Sequence, residues 1–201
     1  MKNVNWRNAD FMEKLILASN SPRRKELLGV LGVPFDVVVP GCDESYPADT
    51  EPLSVPAVIA RRKAEAVLGC VSAGSVVVAA DTMVHFRGRL LGKPRDETEA
   101  RGFISMLQGN VHDVVTGVAV SRGRRCDVVS VVTKVEFRSM DEADIEWNLS
   151  RGEWKDAAGA YKIQGAAACF VERIEGSYSN VVGLPISVVY DMLKKQGFDF
   201  R

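Results

Sequence analysis

Ser19-Asn20-Ser21-Pro22-Arg23-Arg24 brings two hydroxyls, free backbone N–H groups and two guanidinium groups to the start of a short helix. A helix N-terminus favours anions because its first N–H groups lack partners and its dipole is positive there. Ser19 and Ser21 can donate to phosphate oxygens while Arg23 and Arg24 neutralise them. Such charge-assisted bonds contribute about 1.5–3 kcal/mol each when partly desolvated. A triphosphate is the kind of polyanion this turn would hold. The same residues also make an ordinary Ser-Pro helix cap with solvated arginines. No G-x-x-x-x-G-K-[ST] run occurs, so the chain has no P-loop.

Three further segments add chemistry. Asp81-Thr82 follows the apolar run Val76–Ala80, where open α/β sheets place their ligands. Asp81 there can act as a general base for water, as a ligand to a divalent cation, or merely as the cap of a turn. Lys93 precedes Pro94, which stiffens its loop, and can steady a phosphate or a leaving group. Lys63, with Arg61 and Arg62, falls on the polar face of a helix, where solvation is the ordinary reading. Asp43-Glu44 lies in a polar loop and can offer one more metal oxygen. In Asp156–Gly165 the small residues admit a flat ligand, with Tyr161 to stack on a base and Gln164 to hydrogen-bond its edge. His85 and His112 stand apart from any Cys cluster and read as structural. No G-x-S-x-G elbow supports a serine triad. Acid, lysines and arginines together suit hydrolysis of a nucleotide.

The elements that must position these groups follow from patterning. Leu15–Ala18 reads as a buried strand and Pro22–Leu31 as a helix capped by Ser21, with Gly32 at its exit. Phe35–Val39 is a second strand and 54–68 an amphipathic helix. Val76–Ala80, small and β-branched throughout, is a strand buried on both faces. Arg87-Gly88 marks a hairpin, and Asp96–Leu107 a helix. Val111–Val120 and Asp127–Phe137 are long strands joined by a polar turn. Asp141–Ser150 is a helix, Ala168–Ile174 a strand, Gly176–Pro185 a turn-rich run and Ile186–Gln196 a closing helix. The mixture predicts an α/β (α+β) fold with a mixed sheet: residues 1–13 as an extension, 14–201 as one domain of two lobes.

Composition bounds the function. The 201 residues are 46% hydrophobic and 26% charged with zero formal net charge. That is a globular composition with no broad basic face for a nucleic acid polymer. Cys42, Cys70, Cys126 and Cys169 show no metal spacing; Cys70 and Cys169, among apolar residues, read as buried thiols. A reducing, cytoplasmic compartment is expected. No apolar run approaches the roughly 18–20 residues that span a membrane, and 1–13 lack a signal-peptide core.

In order along the chain, ASNSPRRKELL, AADT, LGKP, LQGNVHDVVTG, AGAYKIQG and GSYSNVVGLP closely resemble the Maf family of nucleoside triphosphate pyrophosphatases, from about Leu15 to Gly197. The resemblance implies a divalent-metal enzyme (Mg²⁺, Mn²⁺ or Co²⁺) that converts a nucleoside triphosphate to its monophosphate and pyrophosphate. It also implies an inosine-triphosphate-pyrophosphatase-like fold, a twisted mixed sheet with flanking helices and a cleft between two lobes; a homodimer is compatible with it. Carried over by position, Asp81 is the general base. Ser19, Arg23, Lys63 and Lys93 are phosphate-site residues, and Glu44 is an acid near the metal. Arg23, Thr82 and Gln164 are linked to base choice.

Thr82 and Ile163-Gln164-Gly165 resemble the dTTP/UTP-hydrolysing type of that family. The 7-methyl-GTP type, with a DQ pair and an SEG-like run, is the alternative, as is a nucleotide-binding regulator of cell division without catalysis. Ala157-Ala158-Gly159-Ala160-Tyr161 departs from the family's frequent Lys-Ala-Gly-Gly-Tyr, which removes a cation near the pocket.

Overall fold

The computed structural model describes residues 14–200; the extension expected over 1–13 lies outside them. Its elements run β1 (Leu15–Ala18), α1 (Pro22–Gly29), β2 (Phe35–Val38), α2 (Val55–Leu68), β3 (Val76–Phe86), β4 (Arg89–Leu91), α3 (Glu97–Leu107), β5 (Val111–Arg122), β6 (Arg125–Phe137), α4 (Glu142–Ser150), β7 (Val171–Glu175), α5 (Tyr178–Val182) and α6 (Ile186–Lys195). The strands form one seven-stranded mixed sheet in the order β2-β1-β3-β5-β6-β7, with β4 attached to β3. The α/β fold expected from patterning is therefore present. No helix among the described residues is long and apolar enough to cross a membrane.

The sheet is covered on both faces, which is why β3 opens with five fully buried small or β-branched residues. Leu15, Leu17, Val76, Val78 and Ala80 pack beneath α6 and α1. Ile16, Ala18, Val77 and Ala79 pack beneath α2 through Ala60, Ala64 and Val67. A third cluster, around Phe137, Tyr161 and Phe170, joins the far end of the sheet to α3 and α4.

Several expectations need correction. The strand at Val76 does not stop at Ala80 but runs to Phe86, because β5 pairs with it without a break from Arg122 to Asp113. Asp81 thus lies within a strand and caps no turn. The later strand starts at Val171 rather than Ala168, since Ala166–Cys169 wind into a 3-10 turn. The run Gly176–Pro185 contains helix α5, capped by Ser177. Cys70 and Cys169 are exposed: each ends a helical turn, so apolar neighbours in sequence do not enclose it.

Candidate active site

The parallel ladder between β1 and β3 ends at Ala18 opposite Ala79. On the same edge β4 begins to pair only at Val84, opposite Leu91. Residues Ala80 to Met83 therefore have no strand partner on this side. A cleft opens over this gap, and residues from both faces of β3 reach it. In an antiparallel pair, directly opposite residues point to one face. Asp81 lies opposite Gly117, whose missing side chain would meet Pro56 and Ala57, so this is the α2 face. Thr82 points to the other face, toward α1 and α5.

On the α2 face, Lys63 is 6% exposed and Asp81 7%. The Lys63 ammonium donates to Asp81 Oδ1 at 2.7 Å and pairs with Glu44 Oε1 at 2.9 Å. It reaches them because it lies two helical turns beyond Pro56, on the side of α2 that packs the sheet. The solvated reading of Lys63 is thus overturned by a buried bridge between two carboxylates. Asp43 does not join them; Ser45 caps its carboxylate and holds it below the usual carboxylate range. Among the described residues no group of three or more His, Cys, Asp and Glu could hold a metal. A hard cation here would have Glu44 and Asp81 as protein ligands and would complete its shell with water and phosphate oxygens. That donor set suits Mg²⁺ and similar ions.

On the opposite face, Arg24 Nη2 donates to Thr82 Oγ1 at 3.1 Å and Arg24 Nε to the Gly183 carbonyl at 2.9 Å. Burial pushes the guanidinium down from its ordinary value, with Asp81 opposing the shift. Arg24 still remains a cation, since guanidinium does not lose its proton in proteins. Part of the donor set expected for phosphate is thus spent bracing α1 against α5. Asn180, within α5, is buried and donates to the Val114 carbonyl and to Thr133.

The turn before α1 folds as a cap. Ser21 Oγ accepts from the Arg24 N–H at 3.4 Å, and Ser19 Oγ accepts from the Ser21 N–H at 3.1 Å. Ser19, Ser21 and Arg23 line an outer basin of about 310 Å³. Thr82, Asp81 and Gln164 line an inner recess of about 100 Å³, with Val84, Val114, Val181 and Val182 as apolar walls. Glu44, Lys63, Lys93 and Arg24 border both. Apart from Asp43, the acid, hydroxyl, amide and basic residues expected at the site (Ser19, Ser21, Arg23, Arg24, Glu44, Lys63, Asp81, Thr82, Lys93 and Gln164) are therefore brought to one cleft.

Two residues escaped sequence reasoning. Asp156, in the left-handed region at φ 59, accepts from Arg23 through its carbonyl at 2.8 Å and from Lys93 through its carboxylate at 3.2 Å. Lys162 borders both cavities. Their only signal was a charge on each flank of a small-residue loop. Tyr161, expected to stack on a base, is committed elsewhere. Its hydroxyl shares a 2.8 Å hydrogen bond with His112 Nε2 and its ring packs edge-on against Phe137. Burial pushes the Tyr161 phenol up and the His112 imidazole down to about 4. Gly159, at φ 67, lies where a Cβ would come 2.6 Å from Val84, so glycine is required beside the recess.

The architecture resembles that of the Ham1 protein of Staphylococcus aureus, with a TM-score of 0.50 over 92% of this chain and all of that one at 14% identity. A dTTP/UTP pyrophosphatase of Pelotomaculum thermopropionicum is 45% identical over 190 residues, which cover 94% of this chain and 99% of the relative. One from Pyrococcus horikoshii is 47% identical over 187 residues, covering 90% and 95%. Residues 14–196 match the family model described as Maf-like protein. With that match over nearly all its length, the chain belongs to the Maf-like protein family.

Proposed function

We propose that this protein is a nucleoside triphosphate pyrophosphatase that converts dTTP or UTP to the monophosphate and pyrophosphate, clearing nucleotide pools in the cytoplasm. The observation that carries the reading is the Lys63 bridge between Asp81 and Glu44, at the floor of a cleft otherwise rich in cations. The relatives' names support the substrate. In this reading the base enters the inner recess beside Gln164, whose amide offers both a donor and an acceptor to a pyrimidine edge. The triphosphate lies across the outer basin against Ser19, Ser21, Arg23, Lys93 and the exposed side of Arg24.

Water attacks the α-phosphorus, the bond from that phosphorus to the bridging oxygen breaks, and pyrophosphate leaves. Asp81 accepts the proton from water through Oδ2, since Lys63 occupies and orients Oδ1. Lys93 and Arg23 balance the charge that grows on the departing phosphates. A divalent cation held by Glu44 and Asp81 would supply further charge neutralisation and a more acidic water. The test is incubation of the purified protein with Mg²⁺, Mn²⁺ or Co²⁺ and a panel of nucleoside triphosphates, with the products identified. Monophosphate and pyrophosphate from dTTP and UTP are expected. Preferential turnover of 7-methyl-GTP would overturn the base assignment, and binding without turnover of any nucleotide would overturn the enzyme.

A further inference from the structure

Cations outnumber carboxylates in the cleft. Arg23, Arg24, Lys63, Lys93 and Lys162 face Glu44, Asp81 and Asp156, an excess of two positive charges in a chain whose formal net charge is zero. Lys63 is paired with Glu44 and Asp81, and Lys93 with Asp156. Arg23 and Arg24 donate to backbone carbonyls and to Thr82. The Lys162 carbonyl accepts from the Gly165 N–H, but its ammonium has no hydrogen-bond or ion-pair partner among the described residues.

The backbone fixes where this ammonium goes. Tyr161 and Ile163, on either side, are buried in the core beside Phe137. Tyr161 is extended at φ −143 and ψ 158, so consecutive side chains leave it on opposite sides. With both neighbours turned inward, Lys162 is delivered to the cleft, as is Gln164 two residues on. Ala157, which stands where the resembling motif has lysine, lines the recess without a charge. This loop presents its cation five positions later instead.

We propose that Lys162 is a further substrate-binding residue, donating to the triphosphate at the seam between base recess and phosphate basin. The proposal rests on the pyrophosphatase reading for its substrate and on the charge surplus and geometry for its chemistry. A lysine head without an ion-pair partner gains from a polyanion without first breaking an ion pair, unlike Lys63 and Lys93.

The test compares Lys162→Ala and Lys162→Arg with wild type, reading KM and kcat for dTTP and UTP, the affinity for inorganic tripolyphosphate, and the affinity for thymidine, which carries no phosphate. Lys162→Ala is expected to raise KM and the tripolyphosphate Kd about tenfold, with thymidine affinity unchanged and Lys162→Arg recovering most of the loss. Unchanged KM and tripolyphosphate Kd in Lys162→Ala, with wild type active, overturns the proposal and leaves the enzyme reading intact. If wild type turns over no nucleotide, that reading fails, and tripolyphosphate still decides: weaker binding by Lys162→Ala supports the residue's role and equal binding overturns it. Should Lys162→Ala not fold, Lys162→Gln takes its place in the same comparison.

Discussion

Thr82 and Thr116 are directly opposed across β3 and β5, their hydroxyl oxygens 3.0 Å apart, and the direction of the bond between them is set from both ends. Thr116 donates to the Asn180 carbonyl, which can only accept, so it must accept from Thr82. Thr82 accepts in turn from Arg24. The Thr82 proton is thereby directed away from the cleft, so under the proposed reading the residue would act on a bound base through its relay to Arg24.

Thr82→Val should destabilise the fold by about 1–2 kcal/mol in urea unfolding, since it leaves one arginine donor without its acceptor. Thr82→Ser keeps the hydroxyl and should match wild type in both stability and the ratio of dTTP to UTP turnover. A changed ratio in the serine variant would show that the methyl, not the relay, matters.

Asp81→Asn tests the assigned base. General-base help is worth roughly 10²–10⁴-fold, so kcat should fall by about that much. Nucleotide affinity, measured by calorimetry, should change far less, because the basin residues remain. Wild-type turnover would remove Asp81 from the chemistry.

Gly117 faces Asp81 from β5, and an added Cβ would come 2.2 Å from the backbone of Pro56 and Ala57. Gly117→Ala should therefore displace α2, cost about 3 kcal/mol or more, and lower turnover by moving Lys63 off Asp81. Gly102, within α3, has open space around the same position. Gly102→Ala should stabilise by about 0.5–1 kcal/mol. Equal urea midpoints for the two variants would contradict the close approach of α2.

His112 supplies the pH dependence. Folded, it resists protonation until about pH 4; unfolded, it takes a proton near its ordinary value of 6.5. Between these values the unfolded chain binds the extra proton, so this contribution is complete above pH 6.5 and is lost as pH falls, reaching about 3 kcal/mol below pH 4. His112→Phe with Tyr161→Phe removes both hydrogen-bonding partners together. That double variant should be less sensitive than wild type between pH 7.5 and 4.5 in urea midpoints, and an identical slope would exclude His112 as the source.

The sequence was most legible where chemistry is local. Ser19 to Arg24, Asp81-Thr82, Lys93 and Gln164 stand in short motifs with turn or strand signals beside them, and all reach the cleft. Tyr161 was misread because its partner His112 is 49 residues away and nothing near the tyrosine announces it. The end of β3 was misplaced because Asp81-Thr82 breaks the apolar run, whereas pairing with β5 decides the strand. Lys63 looked solvated because helical periodicity identifies the face it occupies but not the two acids that cover it.

The unpaired stretch from Ala80 to Met83 has one more implication. Successive residues of a strand alternate sides, so Asp81 and Thr82, though adjacent, belong to separate surroundings: one to the Lys63 bridge, the other to the threonine relay. Under the proposed reading, a single peptide link separates the group that reacts from the group that selects. A change of preference at position 82 can then arise and be inherited without disturbing position 81, which makes this gap a place where related enzymes can diversify in what they accept while keeping what they do.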